Sequence, residues 1–269
     1  MSDAIYRVAQ HLTGQEVAGL KRYPGGDISG ASEVRLADGQ VLVAKHGPVV
    51  DVEGRMLSAM GESSAPIPEV LGCEDDVLLI ERLPSNGSLA GEAWPALALA
   101  LVALHEITAD AYGWPEDYAL RHVTVPNERS NDWPTFWAQN RLLCHAPHLD
   151  VATRKKLEAL SCRLGDILPN SPRPALLHGD LWGGNVLVSG NQISSLIDPC
   201  AYFGHAEVDA ATLTVFDTPS PEFFDMMAFE PGWEERQPVY RLWTWLLHVR
   251  LFGGGYLSAV ERELTSLGF

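Results

Sequence analysis

Long apolar runs are missing from this chain of 269 residues. The richest stretch, residues 96–104, is short and alanine-rich, well below the ~20 apolar residues that a membrane helix needs. No membrane span is expected. The chain opens without a basic segment leading into a hydrophobic one, so no secretory signal is expected either. Cysteine is scarce: Cys73, Cys144, Cys162 and Cys200 stand apart, with no Cys-x-x-Cys pair. That spacing fits reduced thiols in a cytoplasmic protein. The cluster Cys144-His145-x-x-His148 lacks a second half at metal-ligand spacing and reads as a helix-end coincidence. Positive charge is also short. Lys and Arg number 19 against 35 Asp and Glu, a net charge of −16. So acidic a surface repels nucleic acid. It suits a cationic or amine-bearing ligand, or serves solubility alone. The absence of Gly-x-x-x-x-Gly-Lys-Ser/Thr disfavours a P-loop nucleotide fold. The absence of Gly-x-Ser-x-Gly and His-Glu-x-x-His removes the simplest hydrolase readings.

What is present is an ordinary globular composition, 46% apolar and 20% charged. The length is large for one compact domain and comfortable for two lobes. No internal repeat stands out. The first eighty or so residues look strand-rich. Residues 33–45 alternate around Asp38-Gly39, a hairpin signature. Ahead of them, Gly25-Gly26-Asp-Ile-Ser-Gly30 is a glycine-rich turn between strands. Residues 52–60 read as a short helix. Residues 77–80 read as a strand that runs into Glu81-Arg82-Leu83-Pro84, a natural boundary.

Beyond Pro84 the apolar period becomes helical, with Leu97, Leu101 and Leu104 on one face of residues 94–107. A second helix is expected over 134–144. A third is capped by Asp150, with Leu157, Leu160, Leu164 and Ile167 as its apolar face. Short strands at 185–188 and 193–197 form a hairpin, and helices return at 208–216, 223–229 and 235–252. The expectation is an α+β chain in two lobes, a small β-rich lobe over residues 1–82 and a larger helical lobe over 83–269.

The most informative stretch is His178-Gly-Asp180-Leu-Trp182-Gly-Gly-Asn185, followed by Ile197-Asp198-Pro199. The protein-kinase catalytic loop is His-Arg-Asp-Leu-x-x-x-Asn, and the octapeptide departs from it only at Gly179. In that loop the Asp accepts the proton of the substrate hydroxyl and the Asn holds magnesium. A later Asp holds magnesium that bridges the phosphates. Asp180, Asn185 and Asp198 occur in that order, and the hairpin between them returns Asp198 to the side of Asn185. Magnesium takes oxygen ligands and leaves much of its shell to phosphate and water, so one amide and one carboxylate are a reasonable protein share. Asp180 then stays clear of the metal to orient a hydroxyl in line with the γ-phosphate.

Taken singly, His-Gly-Asp is a turn and Asp-Pro a strand end. The combination argues for phosphoryl transfer. His178 is expected to pack under the loop rather than act as a base. Protein kinases carry, in place of Gly179, an arginine that meets an activation-loop phosphate. Asp198-Pro-Cys also replaces Asp-Phe-Gly, so no phosphorylation switch is expected.

Lys45 ends Val43-Ala-Lys, close to the Val-Ala-Ile-Lys strand whose lysine pairs with nucleotide phosphates. Alone, a strand-end lysine is usually solvated. Glu53, on the following helix, is the expected ion-pair partner, although only eight positions separate the two; Glu62 and Glu69 are the other candidates. Backbone N–H groups of Gly25 and Gly26 could cover the nucleotide phosphates. A plain hairpin turn explains the same residues equally well, since Gly-x-Gly-x-x-Gly is not matched.

Together these residues resemble the fructosamine (ketosamine) kinases, within the aminoglycoside-phosphotransferase-like kinases. The resemblance runs over nearly the whole chain. It includes Gly25-Gly26, Lys45, Leu104-His105, Trp114-Pro-Glu-Asp, Asp132-Trp133-x-x-Phe136-Trp137, Arg141-Leu142 and residues 178–185. It continues through Ile197-Asp-Pro, Tyr202-x-Gly204-His205-x-Glu207-Val-Asp209 and Leu251-Phe-Gly-Gly-Gly-Tyr256. It implies a two-lobed protein-kinase-like fold with ATP between the lobes and backbone groups of Glu81 to Leu83 on adenine. It implies Asp180 as the base, Asn185 and Asp198 as Mg²⁺ ligands and Lys45 on the phosphates. Asp209 would brace the catalytic loop through its amides, or else stand as an ordinary helix-start carboxylate. Trp182 would stack on the sugar or be a buried structural tryptophan. Glu207 would lie toward the acceptor.

The activity so implied is phosphorylation of a sugar hydroxyl on a small-molecule or protein-linked ketosamine. An aminoglycoside or other amino-sugar acceptor on the same fold, or a silent kinase-like binding protein, are the alternatives. Departures from the family pattern fall at Asp27, Cys200, His205-Ala206-Glu207 and Phe216-Asp-Thr-Pro-Ser. They leave the phosphoryl-transfer residues intact and bear on the identity of the acceptor.

Overall fold

The protein is described by a computed structural model over residues 2–23 and 30–269. Five antiparallel strands form the first sheet: β1 (Val17–Arg22), β2 (Gly30–Leu36), β3 (Val41–His46), β4 (Val70–Glu74) and β5 (Val77–Glu81), in the order β1-β2-β3-β5-β4. The β2–β3 hairpin turns at Asp38-Gly39. Gly39 adopts φ +92° and its N–H donates to the Leu36 carbonyl at 3.0 Å. The Asp38 carboxylate accepts the Gln40 N–H at 2.8 Å, a side-chain closure that favours Asp at this place. Strand alternation then sorts the faces. Val34, Leu36, Leu42 and Ala44 are buried against Ile5, Val8 and Ala9 of helix α1 (Ser2–Thr13). On the other face Ala31, Val43 and Lys45 line a cleft. Helix α1 is an element that the sequence reading did not anticipate.

Helix α2 (Val50–Met60) joins β3 to β4 and packs two ways. Val50 and Leu57 lie against Leu78 and Ile80 of the sheet. Val52, Met56 and Met60 enter the large core of the helical part. Both sides of α2 are thereby fixed, and with them the position of Glu53.

The helical part begins with α3 (Ala93–His105), followed by a hairpin of β6 (Tyr118–Leu120) and β7 (Val123–Val125). Helix α4 (Trp133–Trp137) starts where the Asp132 carboxylate accepts the Thr135 N–H, with Pro134 in the first turn. It continues through a π turn (Ala138–Leu142) and a 3-10 turn (Leu143–His148), so the single helix expected here changes pitch twice. Asp150 does cap α5 (Val151–Ser161), but the expected continuation breaks at 162–163 and resumes as α6 (Leu164–Ile167). Strands β8 (Ala175–Leu177), β9 (Val186–Ser189), β10 (Gln192–Leu196) and β11 (Tyr202–Gly204) follow. β9 pairs with β10, and β8 with β11. Helices α7 (Glu207–Phe216), α8 (Pro221–Met227), α9 (Trp233–Phe252) and α10 (Leu257–Ser266) complete the chain.

The fold is α+β, as the sequence pattern led one to expect. Among the described residues no helix is long and apolar enough to cross a membrane. All four cysteines are free. Among the described residues no cluster of three or more His, Cys, Asp or Glu could hold a metal ion. His145 is buried, packs at a tilt against Trp243 and has a pKa lowered to about 3 by burial and nearby arginines.

Candidate active site

The segment from His178 to Asn185 leaves β8 and is tethered on three sides. The Asp209 carboxylate, buried at the start of α7, accepts the backbone N–H of His178 and of Gly179, each at 2.9 Å. Its Oδ2 also accepts from His105 Nε2 at 2.9 Å. Burial alone would raise the Asp209 pKa; the His105 bond and charge, His178 and the Gly179 N–H outweigh it and hold the group ionised. Behind the segment, His178 Nε2 lies 2.9 Å from the Ile197 carbonyl, and its Nδ1 faces the Asp180 N–H at 3.3 Å. Nε2 therefore carries the proton, and burial lowers the pKa of the ring and keeps it neutral. His178 thus links the two loops that carry Asp180 and Asp198.

Gly179 is the residue that separates this loop from the protein-kinase pattern, and the backbone supplies the reason. Its φ is +78°, and a Cβ there would sit 2.0 Å from the Cys200 carbonyl oxygen. The Cys200 N–H donates to the His178 carbonyl at 2.9 Å, drawing the strands together at this point. Neither arginine nor any other side chain fits.

Asp180 and Asn185 share two contacts. Asn185 Nδ2 donates to the Asp180 carbonyl at 2.8 Å and reaches Oδ2 of its carboxylate at 3.3 Å. The Asn185 amide oxygen is therefore turned away from Asp180. Burial, then the charge of Asp198, push the Asp180 pKa up to about 6. The Ile197 N–H donates to the Asn185 carbonyl at 3.0 Å, which brings Asp198 alongside. Asp198 adopts φ +55°, a left-handed conformation uncommon outside glycine, and its side chain is half exposed.

Lys45 Nζ donates to Asp198 Oδ1 at 2.8 Å and to Glu53 Oε1. Burial works against the ammonium charge; the Glu53 and Asp198 carboxylates outweigh it and raise its pKa. Glu53, rather than Glu62 or Glu69, occupies the place beside Lys45. One amide oxygen, from Asn185, and one carboxylate, from Asp198 on the cleft wall, make an oxygen donor set that suits magnesium and leaves room for phosphate and water. The residues present fit that ion.

The cleft above these groups has a volume of about 430 Å³ and is lined by Val43, Lys45, Ile80, Glu81, Leu83 and Asp198, among others. The Glu81 N–H is already donated to the Glu69 carbonyl at 2.9 Å, so a ligand donor from this linker falls to residues beyond it, such as Leu83. Gly25 and Gly26 lie outside the described residues.

Two expectations concerned the acceptor. Trp182 is 43% exposed and its ring folds over Gly184, with Phe216 edge-on at 6.3 Å. It is not a buried structural tryptophan. Glu207 is corrected: it is fully buried, and both its oxygens are held by Arg236, with Nε at 2.8 Å from Oε2. Its charge is paired with Arg236 inside the helical part. The sequence reading also missed the roles of His105 and Asp217. His105 stands 104 positions from Asp209, and Asp217 accepts the Gly183 N–H at 2.7 Å. No local pattern announces either contact.

A family model described as fructosamine kinase matches residues 1–267. A Lactiplantibacillus plantarum protein described as a probable ketoamine kinase is 31% identical over 259 residues, covering 89% of this chain and 91% of that protein. A solved structure from Thermobifida fusca, described as a fructosamine-3-kinase, superposes with a TM-score of 0.91 at 28% identity, covering 98% of each chain. An aminoglycoside phosphotransferase solved with AMP-PNP and hygromycin B superposes with a TM-score of 0.68 at 17% identity, covering 98% of this chain and 97% of that one. The last is a likeness of fold.

Proposed function

The chain belongs to the fructosamine kinase family, and on that premise we propose that it transfers the γ-phosphate of ATP, with Mg²⁺, to the 3-hydroxyl of a ketosamine. The observation that carries this reading is the contact of Asn185 with Asp180, with Asp198 brought beside them and Lys45 bound to Asp198. In this reading the nucleotide lies in the cleft between the sheet and the helical part, which meet near Arg82 and correspond to residues 1–82 and 83–269. Leu83 offers its backbone to the purine, and Lys45, held by Glu53, meets the phosphates. Asn185 and Asp198 hold the metal, which neutralises charge on the phosphates.

Asp180 orients the sugar hydroxyl and takes its proton. Its raised pKa makes it a better proton acceptor than an ordinary carboxylate while leaving it ionised at neutral pH. Trp182 offers its exposed indole to the C–H face of the sugar. The aminoglycoside alternative rests on fold likeness alone. The acceptor is a free or protein-linked ketosamine, and the setting is cytoplasmic. ADP release measured with fructoselysine as acceptor tests the assignment. Turnover by the wild type, and none by Asp180→Asn with retained nucleotide binding, is the expected result. Equal turnover by the two proteins would overturn it.

A further inference from the structure

Asp217 holds a carboxylate that local stability does not explain. It closes the C-terminal end of α7, where a negative charge opposes the helix macrodipole. Among the described residues it forms no ion pair with Lys, Arg or His. Among the described residues its one donor is the Gly183 N–H, 2.7 Å from Oδ2. The second oxygen, Oδ1, lies so close over Gly183 that a Cβ there would meet it at 2.6 Å. The carboxylate is therefore laid flat on the turn between Asp180 and Asn185.

Next to Gly183 and Asp217 in the chain stand the two exposed rings of this region, Trp182 and Phe216, 43% and 45% accessible and edge-on to each other at 6.3 Å. Neither ring nor Asp217 lines the nucleotide cleft. Gly183 is three positions from Asp180, a reach of at most about 11 Å. The carboxylate thus lies within that reach of the place where a hydroxyl must meet Asp180, outside the lining of the nucleotide cleft. A carboxylate without a cationic partner among the described residues, beside exposed aromatic rings, suits an alkylammonium.

Resting on the ketosamine reading, we infer that Asp217 is the specificity-determining residue for the cationic amine of the acceptor. A ketosamine carries a protonated secondary amine two carbons from its 3-hydroxyl. With that hydroxyl at Asp180 and the sugar face on Trp182, the amine points back over Gly183. There Asp217 Oδ1 accepts its N–H, while Oδ2 stays on the backbone.

The test compares the wild type with Asp217→Asn on fructoselysine and on 1-deoxyfructose, which keeps the hydroxyls and lacks the nitrogen. Asparagine preserves the shape and an oxygen for the Gly183 N–H, and removes the charge. The expected result is a KM for fructoselysine raised about tenfold or more, since hydrogen bonds to charged groups are the strong ones. The kcat, the KM for ATP and the KM for 1-deoxyfructose should stay within about twofold, as for a lost ground-state contact. Asp217→Ser, which also keeps an acceptor for Gly183, should give the same split. An unchanged KM for fructoselysine overturns the inference. An equal rise for both acceptors also overturns it, because Asp217 would then only position the turn. Absence of wild-type turnover on fructoselysine overturns the ketosamine reading itself, and the amine subsite with it.

Discussion

Lys45 and Asp198, 153 positions apart, are joined by a 2.8 Å hydrogen bond while Glu53 holds the same ammonium from behind. Lys45 and Glu53 are 4% and 2% exposed, so each depends on the other for its charge. Lys45→Met leaves Glu53 buried and unpaired, and breaking a buried pair in this way costs about 3–5 kcal/mol. Replacing both, as Lys45→Met with Glu53→Met, removes the orphan charge and should regain most of that stability. Neither variant should release ADP at a useful rate. Denaturant midpoints beside ADP assays check this, and a double variant as unstable as the single one would contradict it.

Asp180 links pH, stability and turnover. Burial and Asp198 raise its pKa to about 6 in the folded protein, from an ordinary value near 3.8. The folded state therefore binds a proton that the unfolded state has released, and stability falls as pH rises between those values. A pKa unit is worth about 1.4 kcal/mol. After a discount for solvent screening, Asp180→Asn should stabilise the metal-free protein at pH 7 by about 1–2 kcal/mol while abolishing turnover. In the wild type, kcat/KM should drop as pH falls through about 6, where the free enzyme's base becomes protonated. Thermal unfolding of the two proteins at pH 4 and pH 7 gives the stability difference; an Asn variant less stable at pH 7 would refute the account.

The β2–β3 hairpin and the octapeptide from His178 were readable because their chemistry is local. Asp38-Gly39 turns the chain through contacts within four residues. The order Asp180, Asn185, Asp198 also needs only a short hairpin to bring its members together. What was unreadable depends on partners distant in sequence. Glu207 looked available to a ligand because Arg236 stands 29 positions later, on another helix. Helix α1 offers only Ile5, Val8 and Ala9 as a buried stripe, and the sheet face it covers forms from strands up to residue 81. The break after Ser161 likewise follows from packing, since the apolar period runs through it unbroken.

Gly179 makes a sharp contrast with Gly190. Both adopt positive φ, +78° and +60°, but only Gly179 has an obstacle, the Cys200 carbonyl oxygen 2.0 Å from a would-be Cβ. Gly190→Ala should cost only the left-handed conformation, about 1 kcal/mol, with turnover retained. Gly179→Ala carries the same strain and must also push apart the loops that carry Asp180 and Asp198. A loss of about 3 kcal/mol or more is expected, together with loss of ADP release. Thermal melts and ADP assays on the two variants check this, and equal behaviour of the pair would show that the close approach does not matter.

The His105–Asp209 pair is expected to control the loop without touching the reactants. Asp209 must accept from three donors at once: the His178 N–H, the Gly179 N–H and His105 Nε2. Asparagine has one acceptor oxygen and would turn its own N–H₂ toward a donor. Asp209→Asn therefore leaves a buried N–H unsatisfied beside Gly179, at a cost of about 2–4 kcal/mol. His105→Ala removes one of the three donors and leaves both backbone bonds, so its cost should be smaller, about 1.5–3 kcal/mol. Because these tethers set where Asp180 sits, kcat should fall more in Asp209→Asn than in His105→Ala. The nucleotide cleft is built from other residues, so ATP affinity should be nearly unchanged in both. Nucleotide titration by calorimetry, run beside kcat measurements, separates the two effects. Equal losses of ATP affinity and kcat would mean that the whole helical part, and not the loop alone, depends on Asp209.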